Sequence, residues 1–279
     1  MKVAIYTLGC KVNQYETQAM EQELLARGHT LTEFSDEADA YIVNTCSVTA
    51  VSDQKSRQVI HGVQRKHPGA VVAVCGCYPQ THADDVRKLG VDLISGTGDR
   101  TGFIRLLEEA AAEKRQIEAI DQPFERRVFE VLPAGGLGGR TRAMLKVEDG
   151  CVNFCTYCII PYARGPIRSL PLEKAKEQAA QLAAEGLRTI PGVHVWATPD
   201  LTAQAGVVSF TADGWDVEEL ASALGEREIA VRAGLHCAPL AHRTVGTLES
   251  GTVRLSFSAM NTPAEVCRFL AILRKLSRG

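Results

Sequence analysis

The stretch "DGCVNFCTYC" places three thiols within eight residues, at Cys151, Cys155 and Cys158, with no fourth cysteine or histidine close by. A structural zinc ion takes four protein ligands, so C-x3-C-x2-C alone would leave zinc under-coordinated unless a distant residue closed the site. A cubane cluster has four irons. Three thiolates on one short loop reach three of them and leave the fourth open to a small molecule. Buried structural thiols or a zinc knuckle are the plainer readings of the same residues. A second set is more dispersed: Cys10, Cys46 and Cys77 each end a short β-rich run, and the C-terminal edge of an open α/β sheet is where sites form. Three unrelated buried thiols are the alternative there. Cys75, two residues before Cys77, and Cys267, beside the apolar face of the last helix, read as packing.

The elements that must position these thiols follow from the pattern. Runs such as "VAIYTLG", "AYIVNTC", "AVVAVCGC" and "VDLISGTG" alternate with polar helical stretches, as in βα units around a parallel sheet. A helix from about Gln14 carries Ala19, Met20, Leu24 and Leu25 on one face and stops at Gly28. Further helices are predicted over Asp53–Arg65, Ala83–Leu89 and Thr101–Lys114. The glycine- and arginine-rich stretch "LPAGGLGGRTR" reads as a linker over 132–142. A strand ("AMLKVED"), the three-cysteine loop and a helix with Pro171 in its first turn and Gly186 past its end come next. Beyond Gly186 the rhythm breaks. Strands "GVVSFTA", "IAVRAG" and "TVRLSFS" are interleaved with a helix starting at Asp216 and Glu219 as a capping box, a glycine-interrupted loop, and a last helix with Thr262, Pro263 and Glu265 as N-cap, N1 and N3. The expected organisation is an N-terminal parallel-sheet α/β domain over 1–131, the linker, one further βα unit with the cysteine loop over 143–187, and a small α+β unit over 188–279.

The 279 residues are 45% hydrophobic and 23% charged, enough to bury a real core. No apolar run approaches the length of a membrane span and the first residues carry no cleavage-site pattern, so a cytoplasmic protein without a membrane partner is expected. Nine cysteines, an odd number in close-set groups, suit metal ligation in a reducing compartment better than disulfides. A net charge of −2 excludes the global electrostatic footprint of a strong nucleic-acid binder. Contact with RNA would have to come from local cations: Arg126, Arg127, Arg140, Arg142, Arg164 and Arg168 could meet phosphate, or form an ordinary solvated surface.

Taken in order, "TLGCKVNQYE", "VNTCSVT", "SDQKSRQ", "GCYPQ" and "DGCVNFCTYCIIPYARGP" resemble the tRNA methylthiotransferases of the radical S-adenosylmethionine (SAM) superfamily, in the branch acting on threonylcarbamoyl-adenosine next to the anticodon. The resemblance covers about 1–187. It implies two 4Fe-4S clusters, one on Cys151, Cys155 and Cys158 with SAM at the open iron and Tyr157 within that loop, and one on Cys10, Cys46 and Cys77 that supplies or relays the inserted sulfur. It also implies cleavage of SAM to a 5′-deoxyadenosyl radical, a reductant protein and tRNA as partners. Val152 and Pro79 depart from the pattern without removing a ligand. The helix and strand count departs further. A radical-SAM barrel needs about six βα units; this chain shows the first, and about ninety residues after Leu187 cannot hold five more plus a small RNA-binding barrel, since one βαβ unit takes at least about thirty residues.

The remainder resembles something else. "IPGVHVWATPD", "GVVSFTADG", "IAVRAGLHCAPLAH" and "GTVRLSFSAMNTPAEV" are similar to the C-terminal small domain of cysteine-desulfurase-like class V aminotransferases, over about 190–276. That resemblance makes Cys237 the thiol that would carry a persulfide and Arg254 the grip on a substrate carboxylate, a role suited to a bidentate guanidinium. A vestigial loop thiol and a strand-face cation are the plainer readings. Pyridoxal phosphate needs a Schiff-base lysine, and from Arg188 onward the only lysine is Lys275, so that cofactor is not expected in this chain alone. Three expectations follow: a truncated or hybrid methylthiotransferase, a persulfide carrier built on Cys237, or a non-catalytic join of two gene fragments near Leu187.

Overall fold

The computed structural model describes residues 1–133, 144–197, 206–257 and 261–277. The chain divides into two compact units, Met1–Gly135 with Lys146–Leu170, and Gly136–Leu145 with Pro171–Gly279. In the first, β1 (Lys2–Thr7), α1 (Lys11–Ala26), β2 (Thr30–Thr32), β3 (Ala40–Thr45), α2 (Ala50–Lys66), β4 (Val71–Gly76), α3 (Cys77–Thr81), α4 (Ala83–Arg87), β5 (Leu93–Ser95), α5 (Arg100–Glu113) and β6 (Ile117–Ala119) build one sheet of order β2-β1-β3-β4-β5-β6. Every pairing in it is parallel, as the alternating pattern predicts.

Strand alternation sorts this sheet's side chains into two cores. Val3, Ala40, Ile42, Ala73 and Cys75 face one layer with Met20 and Leu24 of α1 and Phe103, Ile104 and Leu107 of α5. Ala4, Tyr41, Val43, Val72 and Val74 face the other, with Ile60 and Val63 of α2. Both faces are covered, which is why the strands read as continuous apolar runs. Cys75 belongs to this packing. Leu25, predicted on the buried face of α1, is 56% exposed, because the helix turns its Met20 and Leu24 stripe to the sheet and leaves the next position outside.

The segment after the linker departs most from expectation; the linker itself lies outside the described residues beyond Pro133. The predicted strand "AMLKVED" shortens to β7 (Glu148–Asp149). Its partner is β8 (Arg168–Ser169), in antiparallel register, beyond α6 (Ile160–Arg164). The next helix, α7 (Leu172–Arg188), runs two residues past Gly186 rather than stopping before it. Its Ala180, Ala183, Ala184 and Leu187 lie in the core of the second unit. The segment 143–187 is therefore shared between the two units, and the break falls at Leu170/Pro171 rather than at Leu187. Sequence could not decide this, because an apolar stripe on a helix does not say which sheet it covers.

The second unit continues with β9 (Val193–Trp196), β10 (Val207–Ala212), α8 (Val217–Gly225), β11 (Arg232–Gly234), α9 (Pro239–Thr244), β12 (Thr252–Ser256) and α10 (Pro263–Leu276). Its sheet has the order β11-β12-β10-β9 with antiparallel pairings. Val208, Phe210, Val253 and Leu255 of the sheet pack with Leu220 and Leu224 of α8 and Val266, Phe269, Leu270 and Leu273 of α10. The capping box of α10 forms between Thr262 and Glu265; at α8, Asp216 accepts from the N–H groups of Glu218 and Glu219. The short α9 occupies what reads in sequence as an irregular loop.

Candidate functional site: two cysteine sets joined by buried ion pairs

Cys10, Cys46 and Cys77 follow the C-terminal ends of β1, β3 and β4, which are neighbours in the sheet. Cys10 is the N-cap residue of α1 and Cys77 opens α3. Gly9, at φ +107, lets the β1 loop close on β3: a Cβ there would stand 2.6 Å from the Cys46 Cβ and 2.9 Å from its Sγ. Asn13 ties the loops together. Its Nδ2 donates to the carbonyls of Leu8 and Thr45, both at 2.8 Å, and its Oδ1 faces the Cys10 Sγ at 3.8 Å. Cys10 is exposed, whereas Cys46 and Cys77 are buried. Burial pushes the Cys77 thiol up to about 11, against the pull of Arg164, and the neighbouring Glu16, Cys46 and Cys10 add to the rise.

Around the second set, Cys151 and Cys158 are half-buried and Cys155 is exposed. The loop is pinned at its start, where the Cys151 N–H donates to the Gly165 carbonyl at 3.0 Å, and turns where the Cys158 N–H donates to the Cys155 carbonyl at 2.9 Å. Phe154 packs against Phe124 and Tyr162. Tyr157, assigned to the SAM and cluster loop by resemblance, is 89% exposed. Among the described residues, no three His, Cys, Asp or Glu side chains converge tightly enough to hold a metal ion. The structure thus gathers each set at one place without closing its ligand geometry. The donor chemistry still fits an iron-sulfur group, since each set offers thiols alone, and Gly9 leaves space at Cys46 that a side chain would fill.

Between the sets runs a network that sequence reasoning missed. Glu16, 1% exposed, accepts from Arg164 Nη1 at 2.7 Å, Arg100 Nη2 at 3.1 Å and Lys146 Nζ at 3.1 Å. Asp149 pairs with Lys146 at 2.9 Å, Arg164 at 3.1 Å and Arg168 at 3.3 Å. Burial alone would raise the Glu16 carboxyl, but Arg164, Arg100 and Lys146 hold it well below the usual carboxylate range. Asp149 is lowered in the same way by Arg164 and Lys146. Glu16 sits inside the quoted "NQYE", but nothing in spacing or composition marks a helix glutamate as buried. Its partners lie 84 to 148 residues away.

These contacts take Arg164 and Arg168 out of both readings of the arginines, phosphate contact and solvated surface. Arg164 and Arg168 are buried in ion pairs. Arg126 is held by Asp121, Thr97 and Gln80. Arg127 is exposed and donates to the Phe124 carbonyl, and Arg140 and Arg142 lie outside the described residues. An open cavity of about 720 Å³ lies at the opposite, N-terminal edge of the sheet, lined by Asp39, His67, Asp92 and Lys114 among others, and none of the cysteines lines it.

In the second unit Cys237 is exposed, with φ +59, in the turn between β11 and α9. The neighbouring His236 donates through Nε2 to the Thr252 carbonyl at 3.0 Å, and burial together with Arg254, His242 and Arg232 pushes it below the ordinary histidine range. Arg254 stands on β12 opposite Arg232 and Ser209, and its Nε is buried with no partner. These residues do not fit pyridoxal phosphate: Lys275 lies in α10, and no other lysine follows Arg188.

Two family models match this chain, in different parts. Residues 2–96 match Uncharacterized protein family UPF0004, and residues 166–269 match Aminotransferase class-V. Among curated proteins, the chain is 43% identical over 195 residues to the threonylcarbamoyladenosine tRNA methylthiotransferase MtaB of Bacillus subtilis, covering 69% of this chain and 43% of that protein. It is 37% identical to the protein of the same name from Aquifex aeolicus, covering 68% and 47%. A Vibrio cholerae tRNA-2-methylthio-N(6)-dimethylallyladenosine synthase is 33% identical over 75% of this chain and 45% of its own length. The chain thus spans less than half the length of the curated relatives it matches. Among solved structures, a cysteine desulfurase from Thermococcus onnurineus NA1 aligns with all of this chain and 73% of its own at 20% identity and a TM-score of 0.35. The relation of the second unit to the class V aminotransferases rests on the family model. Among the described residues no helix is long and apolar enough to cross a membrane.

Proposed function

We propose that the first unit is an iron-sulfur, SAM-dependent module of the tRNA methylthiotransferase kind, in a truncated or hybrid chain of the cytoplasm. Cys10, Cys46 and Cys77 would hold one 4Fe-4S cluster and Cys151, Cys155 and Cys158 the other. When bound, the second cluster supplies the electron and the open coordination site for SAM. The chain's own part is placement. Three adjacent strand ends deliver three thiols to one sheet edge, and the ion pairs beneath hold the second loop in the same unit. The observation that carries the reading is the gathering of Cys10, Cys46 and Cys77, supported by 43% identity to a protein named for this activity. The substrate read from that name is threonylcarbamoyl-adenosine in tRNA, with a reductant protein as the other partner.

Anaerobic reconstitution tests the reading. About eight irons and eight sulfides per chain are expected from two cubanes, and a clearly lower count would sink the two-cluster claim. Loaded protein given SAM and a strong reductant should yield 5′-deoxyadenosine, lost in Cys155→Ala; iron without product would make the chain a non-catalytic hybrid. A second reading follows from the exposed Cys237 in its turn: a persulfide carrier, whose thiolate takes the terminal sulfur of a partner desulfurase's persulfide and releases that partner's thiolate. Mass spectrometry of Cys237 after incubation with a desulfurase and cysteine decides it, and an unmodified thiol disposes of the idea.

A further inference from the structure

Residues 164 and 165 reach both cysteine sets, one through Asn13 and the other directly. The Arg164 guanidinium is buried and donates through Nη2 to Asn13 Oδ1 at 3.1 Å, the same oxygen that faces Cys10 Sγ. Asn13 in turn holds the Leu8 and Thr45 carbonyls, so it fixes the residues that lead into Gly9 and Cys46. One peptide further on, the Gly165 carbonyl receives the N–H of Cys151. Gly165 has φ +77, and a Cβ there would collide with the Pro123 carbonyl. Arg168, by contrast, reaches Asp149 and the carbonyls of Arg164 and Pro166 and, among the described residues, donates to nothing on the Cys10 and Cys46 loops.

We propose that Arg164 is a positioning residue that couples the two cysteine sets, its side chain setting the Cys10 and Cys46 loops through Asn13 while its C-terminal peptide sets the start of the Cys151 loop. The coupling is mechanical. α6 is a single short helical turn, anchored at Glu16 and Asp149 by the same guanidinium, so displacement of Arg164 moves both ends. Arg168 serves one set only. This assignment rests on the reading of the two sets as cluster ligands for its consequence, but its contacts are all between the chain's own atoms.

The test therefore uses apo, reduced full-length protein. Each cysteine's rate of labelling by iodoacetamide is followed by peptide mass spectrometry in the wild type, Arg164→Lys and Arg168→Lys. Lysine keeps the charge beside Glu16 and Asp149 but cannot also span to Asn13. Loss of one net hydrogen bond changes a local opening equilibrium by about fivefold, so Arg164→Lys should speed labelling of both Cys46 and Cys151 by about that factor. Arg168→Lys should speed Cys151 alone. Cys75, in the sheet core, and Cys267, in the second unit, should keep their wild-type rates in both variants. An unchanged Cys46 in Arg164→Lys overturns the coupling, and so does a parallel rise at Cys75, which would mean general loosening. Iron uptake is then measured in a background carrying Cys151, Cys155 and Cys158 all replaced by alanine. There Arg164→Lys should alter the electron paramagnetic resonance spectrum of the remaining iron and Arg168→Lys should not. Wild-type protein that binds no iron at all would refute the proposed function while leaving the labelling result to decide the coupling.

Discussion

Glu16→Gln isolates the buried network. In the folded chain the Glu16 carboxylate faces Arg100, Lys146 and Arg164, and Arg168 completes a group of four cations whose other carboxylates are Asp149 and Glu130. The amide keeps the shape and removes the central charge, leaving four buried cations to two carboxylates. Breaking a buried pair from one side costs about 3–5 kcal/mol, because the stranded charge cannot recover its hydration. With a urea m-value of about 2 kcal/mol per M, the midpoint of the first unit should fall by about 2 M. The assay can see the units separately. Both tryptophans, Trp196 and Trp215, belong to the second unit, so their fluorescence reports that unit while far-UV circular dichroism reports both. The dichroism transition should split or move in Glu16→Gln while the fluorescence transition stays. A midpoint shift equivalent to less than about 0.5 kcal/mol, the size of an ordinary surface change, would refute the claim that these ion pairs hold the unit. The sign with pH follows. Glu16 and Asp149 titrate lower folded than unfolded, so unfolding binds protons in acid. Their stabilisation is complete above the ordinary values of 4.5 and 3.8 and is lost as pH falls through the lowered folded values. Glu16→Gln should be less acid-sensitive than the wild type over that range.

Gly165→Ala places a Cβ against the Pro123 carbonyl at a positive φ; a cost of about 1–3 kcal/mol should appear in the dichroism-detected urea transition, with fluorescence unchanged. Gly9→Ala crowds Cys46 and should reduce iron uptake by the Cys10 set, measured after the three loop cysteines are replaced by alanine; full uptake would mean that Cys46 has room to spare. Leu187→Ala, in the core of the second unit, should cost about 2–5 kcal/mol and shift the fluorescence transition; a shift seen only by dichroism would place α7 with the first unit instead.

How much of this was legible depends on range. The parallel sheet, its βα order and the three strand-end cysteines follow from local periodicity, because alternation and helix period act over fewer than twenty residues. The caps of α8 and α10 were legible for the same reason: Asp216 and Thr262 act on N–H groups three residues away at most. Glu16 was not, since its partners come from α5, α6 and the segment before β7. The arginines of "YARGPIRS" read as exposed cations because a guanidinium is mostly found at the surface; their burial depends on Glu16 and Asp149 being there to meet them. Gly186 misled in another way. Glycine often ends a helix, but α7 carries on to Arg188, where packing of Leu187 outweighs a propensity cost of about 1 kcal/mol.

α7 also bears on how segments that match two different family models can share a chain. Its buried face is Ala180, Ala183, Ala184 and Leu187, mostly small side chains that let a helix lie close on a sheet and ask little of the surface beneath. Such a face can cover a barrel strand or an antiparallel sheet with similar gain, roughly 25 cal/mol per Å² of apolar area in either place. The first strand of a barrel has no such latitude, because it needs parallel neighbours to satisfy its backbone. Here β7 keeps two residues and pairs antiparallel with β8. A join between the two families near this point would keep a folded second unit, with α7 supplying its outer layer, and keep the loop of Cys151, Cys155 and Cys158 anchored to the first unit through Arg164, Gly165 and Asp149. Those anchors are made within the first unit and ask nothing of a barrel, so iron content and SAM cleavage are separate measurements.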